Sequence, residues 1–160
     1  MCFADWHKWL CLVLLLNVAS TAVATEAFIP TVKDIRILKQ QAEQSEMPVL
    51  LLFTSEDCEF CEAIRQNYLL PMMRSSDYRD AILFRQLYMD EFRLMRNDQG
   101  RLVGGDQLAL DFKVSVSPTI LFLDANGHEV AERIVGVSGA DYFDKTLQLH
   151  ISQATQSMLN

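Results

Sequence analysis

The chain has 160 residues, 50% of them apolar, and 14 basic against 21 acidic side chains give it a net charge of −7 at pH 7. That is enough apolar chain to bury one core and form one domain. The acidity and the lack of any block of basic residues argue against nucleic acid or an anionic membrane surface as the partner.

Leu10 to Val18 is an almost unbroken apolar run that follows Lys8 and ends near Ala22-Val23-Ala24, a small-x-small pattern suited to signal peptidase. Residues 1–24 are therefore expected to be a cleaved signal peptide and 25–160 the mature domain, with no stable membrane insertion after cleavage. An uncleaved anchor is the alternative, but the run is shorter than the roughly 20 residues a spanning helix needs, and Asn17, Ser20 and Thr21 interrupt it. Cys11 follows Lys8-Trp9-Leu10, which is not the small-residue context of a lipoprotein signal. Cleavage would remove Cys2, Cys11, Trp6 and Trp9 and leave Cys58 and Cys61 as the last two cysteines. Export implies a bacterial periplasm or an equivalent oxidising space.

Val32, Ile35, Leu38 and Ala42 fall on one face at helical spacing, which predicts an amphipathic helix over 31–46 that Pro48 stops. Val49 to Thr54 is a continuous apolar run, as a strand buried on both faces requires. Ser55-Glu56-Asp57 is then a turn, and Cys58 to about Arg74 a helix that Pro71 kinks or ends. A short helical turn over 77–81 and a second strand over 82–89 follow. The charged, Gly-containing stretch 90–105 reads as a long loop carrying a small helical or hairpin piece. Further on come a short helix at 106–113, a strand at 119–123, a turn at Asp124-Ala125-Asn126-Gly127 and an antiparallel return over 129–137. Ser138-Gly139-Ala140-Asp141 reads as a capping box for a last helix whose inward face is Phe143, Leu147, Ile151 and Met158.

The chemistry-bearing feature is Cys58-Glu59-Phe60-Cys61, set between a buried strand and a helix. At such a junction the first thiol meets unpaired helix N–H groups that stabilise a thiolate, and the second lies one turn on, close enough to close a disulfide. Cys58 is thus the expected attacking thiol and Cys61 the resolving one. A metal site would need two more ligands, and neither His128 nor His150 has ligand spacing to the pair. A purely structural role gains little, because so short a loop removes little entropy from the unfolded chain. Met72, Met73, Met89 and Met95 have soft sulfurs that would suit copper, but their helical and strand positions favour core packing. No cofactor or metal is expected beyond the redox-active Cys58–Cys61 disulfide.

Taken together, the elements order as a strand-helix-strand unit, a helix and a terminal hairpin, which pack as a central mixed sheet with helices on both faces. With Cys58-Glu59-Phe60-Cys61 after one strand and Val116-Ser117-Pro118-Thr119 before another, the chain resembles the thioredoxin superfamily over almost all of its mature length. Within it, the export signal, Asn67-Tyr68-Leu69-Leu70-Pro71 and the insertion before Asp106 are similar to exported bacterial thioredoxin-like proteins of sulfur oxidation, cytochrome maturation and periplasmic disulfide reduction. The resemblance implies an α/β thioredoxin-like fold, a cis Ser117–Pro118 bond facing the cysteines, and a substrate segment docked against the backbone at Ser117. Phe60 would add an apolar docking surface, or else tuck against Pro118.

Three departures from thioredoxin stand out. Asp57 replaces the Trp before the first cysteine, Glu59-Phe60 replaces Gly-Pro, and Leu52 occupies the buried-aspartate position. Proton transfer then falls to water or to Glu56 or Glu62. Glu56, Asp57, Glu59 and Glu62 together oppose a thiolate at Cys58, which makes the couple more reducing. The expectation is therefore a periplasmic thiol-disulfide oxidoreductase that reduces exported disulfide-containing proteins or small thiols, with electrons from a membrane-bound thiol donor. The alternatives are an oxidase or isomerase, a redox-sensing binding module that uses 90–105 for recognition, and a Cu(I) chaperone.

Overall fold

Every residue of Val49–Thr54, strand β1, is buried, so both its faces must be covered. The computed structural model describes residues 28–159; the expected signal segment 1–24, with Cys2 and Cys11, lies outside the described residues. β1 pairs in parallel with β2 (Leu83–Tyr88) and antiparallel with β5 (Thr119–Leu123), which in turn pairs antiparallel with β6 (Glu129–Val135). The sheet order is β2-β1-β5-β6. In this register Thr54 lies beside Tyr88 and Phe53 beside Thr119. The turn that carries the cysteines therefore leaves β1 between the end of β2 and the start of β5.

Alternate side chains of β1 feed two separate cores, as a period of two demands. Leu50 and Leu52 pack with Ile64, Leu69, Phe143, Leu147 and Ile151. Val49, Leu51 and Phe53 face Ile35, Leu38, Leu108 and Ala109 on the opposite side. The helices bearing these residues are α1 (Ile35–Ser45) and α5 (Gly105–Asp111) on one face, and the cysteine-bearing helix with α6 (Ala140–Ser157) on the other. Met72 and Met95 are buried in these cores, and Met73 and Met89 pack against them, the packing role their positions suggest.

Several boundaries differ from the sequence reading, while the hairpin expected within 90–105 is present. α1 starts at Ile35 with Asp34 as its N-cap, accepting the Arg36 N–H at 2.9 Å, because the chain just before it is held as an extended rib on β2. There Val32 donates to the Gln86 carbonyl at 2.8 Å and Gln86 to that of Pro30 at 3.0 Å. The helix after the cysteines runs as α2 (Glu59–Ile64), one π turn (Arg65–Leu69) and α3 (Leu70–Arg74). Leu70 N–H bonds back to the Arg65 carbonyl, closing this wider turn, and Pro71 falls in the first turn of α3. After α4 (Ser76–Arg79) and β2, the 90–105 stretch holds a hairpin of β3 (Met95–Arg96) and β4 (Leu102–Val103), and β6 ends at Val135. At α6 the expected capping box is absent: Gly139 is the N-cap and makes no side-chain bond.

On α6 the inward face carries His150 as well as Phe143, Leu147 and Ile151, with Ala154 rather than Met158 buried at its end. The His150 ring meets Phe122 edge-on at 5.7 Å, and its buried Nδ1 has no hydrogen-bond partner among the described residues. A buried polar atom left unpaired costs about 1–3 kcal/mol, which an apolar side chain of similar volume would avoid. His150→Leu is accordingly expected to unfold at an equal or higher urea midpoint than the wild type. An unfolding free energy lowered by more than about 1 kcal/mol would mean that the imidazole is satisfied after all.

Candidate active site

The turn after β1 enters the left-handed region at Asp57 (φ 55°) and delivers Cys58 to the N-cap of α2. Cys58 and Cys61 are joined in a disulfide with S–S 2.07 Å and Cα–Cα 5.2 Å. The two sulfurs differ in environment. Cys58 is half-buried and its Sγ accepts the Cys61 N–H at 3.2 Å, whereas Cys61 is 0% exposed. An incoming thiol or disulfide can reach only the first of them.

The Ser117–Pro118 peptide bond is cis, and Pro118 is buried. One short bond ties this loop to the cysteine turn and another ties it to the end of β6. Ser117 Oγ lies 2.8 Å from Ser55 Oγ, and the Pro118 carbonyl accepts the Gly136 N–H at 2.8 Å. Phe60 is 67% exposed, so its ring stands free and is not tucked against Pro118.

A buried strand, a Cys-x-x-Cys pair at the next helix start and a cis-proline loop hydrogen-bonded to that turn are thus brought together. The family model for a thioredoxin-like domain matches residues 37–151. The chain belongs to the thioredoxin-like family. Among solved structures, the Fasciola hepatica thioredoxin aligns at 14% identity and TM-score 0.55, covering 79% of this chain and 99% of that one. A Nicotiana alata thioredoxin aligns at 21% identity and TM-score 0.50, over 79% and 97%. An oxidised Arabidopsis thaliana thioredoxin gives 20% and 0.52, over 76% and 94%. At such identities these likenesses speak for the fold alone. No curated protein sequence matches the chain. Among the described residues no helix is long and apolar enough to cross a membrane.

In this thioredoxin-like domain Leu52, at the family's buried-aspartate position, is 0% exposed and packs with Ile64 in the core. A partly buried charge at the site is instead a cation, Arg65, whose side chain is 16% exposed. Its Nη1 donates to Thr54 Oγ1 at 3.1 Å and Gln86 Oε1 at 3.2 Å, while Nε and Nη2 grip Glu62 at 3.0 and 2.7 Å. Gln86 passes the chain of bonds on, donating to the Ile29 carbonyl at 3.0 Å. Arg65 thus ties the cysteine helix to the ends of β1 and β2. Arg65→Met keeps the aliphatic stem but leaves these acceptors unpaired, and is expected to cost about 1–3 kcal/mol in urea unfolding. A variant as stable as wild type would show that the cluster adds nothing to the fold.

An open pocket of about 510 Å³ borders Cys58, lined by Glu56, Asp57, Glu59, Glu62, Arg65, Tyr88 and Arg93 among others. The four acids read from the sequence are therefore gathered at the cysteine, but two of them are paired. Glu62 is held below the usual carboxylate range by its hydrogen bonds to Gln66 and Arg65. Glu56 is paired with Arg93 and raises that guanidinium's affinity for its proton. Both carboxylates suggested for proton transfer are thus engaged by arginines. Ser55, Arg65, Asp90 and Arg93 were not singled out from sequence. Arg65 alone left a local signal, since Cys58, Glu62 and Arg65 fall at i, i+4 and i+7 on one helical stripe.

Proposed function

We propose that the protein is an exported thiol-disulfide oxidoreductase that reduces disulfides through a mixed disulfide at Cys58. The observation that carries this reading is the asymmetry of the pair: an accessible Cys58 sulfur that accepts the Cys61 N–H at 3.2 Å, backed by a fully buried Cys61. A thiolate at Cys58 would be stabilised by that N–H, attack the substrate disulfide, and be released when Cys61 attacks the mixed disulfide. Ser117, the backbone at the buried Pro118 and the free face of Phe60 would supply the docking surface. The apolar run of residues 10–18 supports a periplasmic setting, in which a membrane-bound thiol donor would return electrons to the pair. No metal or cofactor is required for this exchange.

Reduction is favoured over oxidation because Asp57 and Glu59 have no ion-pair partner among the described residues and lie beside Cys58. Unanswered negative charge disfavours the thiolate and so favours the disulfide form of the couple. Equilibration with dithiothreitol and glutathione buffers tests the direction. A reduction potential near or below about −270 mV is the expected result, and one near about −120 mV would reverse the assignment to an oxidase.

A further inference from the structure

The segment between β2 and α5 begins by turning back to the rim of the disulfide pocket. The Asp90 carboxylate accepts the Glu56 N–H at 3.2 Å, which ties the segment to the cysteine turn. The Asp90 carbonyl accepts from both Arg93 N–H, at 3.0 Å, and Gly105 N–H, at 3.2 Å. The Arg93 guanidinium lies 5.1 Å from the Tyr88 ring centroid and 5.6 Å from that of Phe92, and donates to Glu56. Farther along, Arg96 N–H binds the Lys33 carbonyl at 2.9 Å and anchors the hairpin on the start of α1. Arg93 is therefore clamped on the pocket wall from two sides. It faces Glu56 at a site where Asp57 and Glu59 have no ion-pair partner among the described residues and Glu62 is already answered by Arg65.

We propose that Arg93 is a positioning residue for the redox couple: the 90–105 segment holds its guanidinium against Glu56, which cancels that carboxylate's pressure on Cys58 and sets how readily the disulfide accepts electrons. The inference rests on reading Cys58–Cys61 as a redox couple. Reduction by dithiothreitol breaks the S–S bond, delivers two electrons from the reagent's two thiols, and converts the reagent to its cyclic disulfide. Of the two protons released by the reagent, one goes to Cys61, and the other is shared between Cys58 and solvent according to how well the thiolate is stabilised. A cation near Cys58 favours the reduced side and a carboxylate the oxidised side. The segment is on this account an electrostatic adjustment of the site, built from outside the strand-helix unit that carries the cysteines.

The test is equilibration of the mature wild-type protein, Arg93→Ala, Arg93→Lys and Glu56→Gln with dithiothreitol mixtures of fixed ratio, together with the pH dependence of Cys58 alkylation by iodoacetamide. Arg93→Ala is expected to move the equilibrium at least about threefold toward the disulfide and thiolate formation to higher pH. Glu56→Gln is expected to move both at least about threefold the other way, and Arg93→Lys to stay near wild type. All shifts should shrink as salt rises from about 0.05 to 1 M, because the pair is exposed. Arg93→Ala within twofold of wild type on both readouts, or shifts of the same sign for Arg93→Ala and Glu56→Gln, would overturn the proposal. If Arg93→Ala loses its folded circular-dichroism signature, the sign and size of the Glu56→Gln shift decide. Neither measurement requires turnover: a protein that equilibrates normally but fails to reduce a disulfide substrate removes the reductase reading and leaves this one standing.

Discussion

Cys58→Ser is expected to bring reduction of insulin by dithiothreitol down to the rate without protein, while leaving the fold intact. The chemistry requires a thiolate at the accessible position, and a serine hydroxyl neither ionises near neutral pH nor exchanges with disulfides. The fold does not require it. Serine is a favoured N-cap residue whose Oγ can accept the Cys61 N–H that Cys58 Sγ now accepts at 3.2 Å. Loss of the disulfide removes a constraint over a sequence separation of only three residues, which changes the entropy of the unfolded chain little. Cys61→Ser should fail differently. Its Cys58 can still attack, but the mixed disulfide cannot be resolved from within, so a covalent adduct with the substrate accumulates and is visible by mass spectrometry. A Cys58→Ser protein that retains turnover would sink the enzyme reading and favour a redox-responsive binding module. A Cys61→Ser protein that gathers no adduct would contradict the order of attack.

What could be read from the sequence and what could not separates along contact range. β1 and β5 match their expected bounds because continuous apolar runs next to turn residues admit few alternatives. Cys58-Glu59-Phe60-Cys61 and Ser117-Pro118 are local motifs, and each was legible without knowing what lay across the sheet. The extended rib before α1 was not, because Val32 continues the helical spacing of Ile35 and Leu38. Only the bonds to Gln86, at the edge of the sheet, decide that it is extended. The charges around Cys58 were legible as acids but not as pairs. Arg93 reaches Glu56 across 37 positions of sequence, through the parallel register that sets Thr54 beside Tyr88. No local pattern marks such a pair, so the site read from sequence alone was more acidic than the one that forms.

Gly105→Ala is expected to damage both the fold and the site, and for one reason. A Cβ at Gly105 would lie 2.0 Å from the Tyr88 carbonyl oxygen and 2.8 Å from that of Asp90. Both are backbone atoms, so no side-chain rotation can make room. Either α5 must move away from β2, or the 88–90 backbone must move toward the pocket. Overpacking of this kind costs about 1–3 kcal/mol and sometimes more, which should appear as a lower urea midpoint. The same displacement breaks the Gly105 N–H to Asp90 bond at 3.2 Å and loosens the hold of Asp90 on the Glu56 N–H. Arg93 then loses its placement, and Cys58 alkylation should shift in the same direction as for Arg93→Ala. Gly139→Ser is the control, since nothing lies within 4 Å of its would-be Cβ and serine suits the N-cap of α6. It should stay within a few tenths of a kcal/mol of wild type or slightly above. If Gly105→Ala is equally silent, α5 is not seated on the end of β2 as described, and the route by which the 90–105 segment reaches the disulfide fails with it.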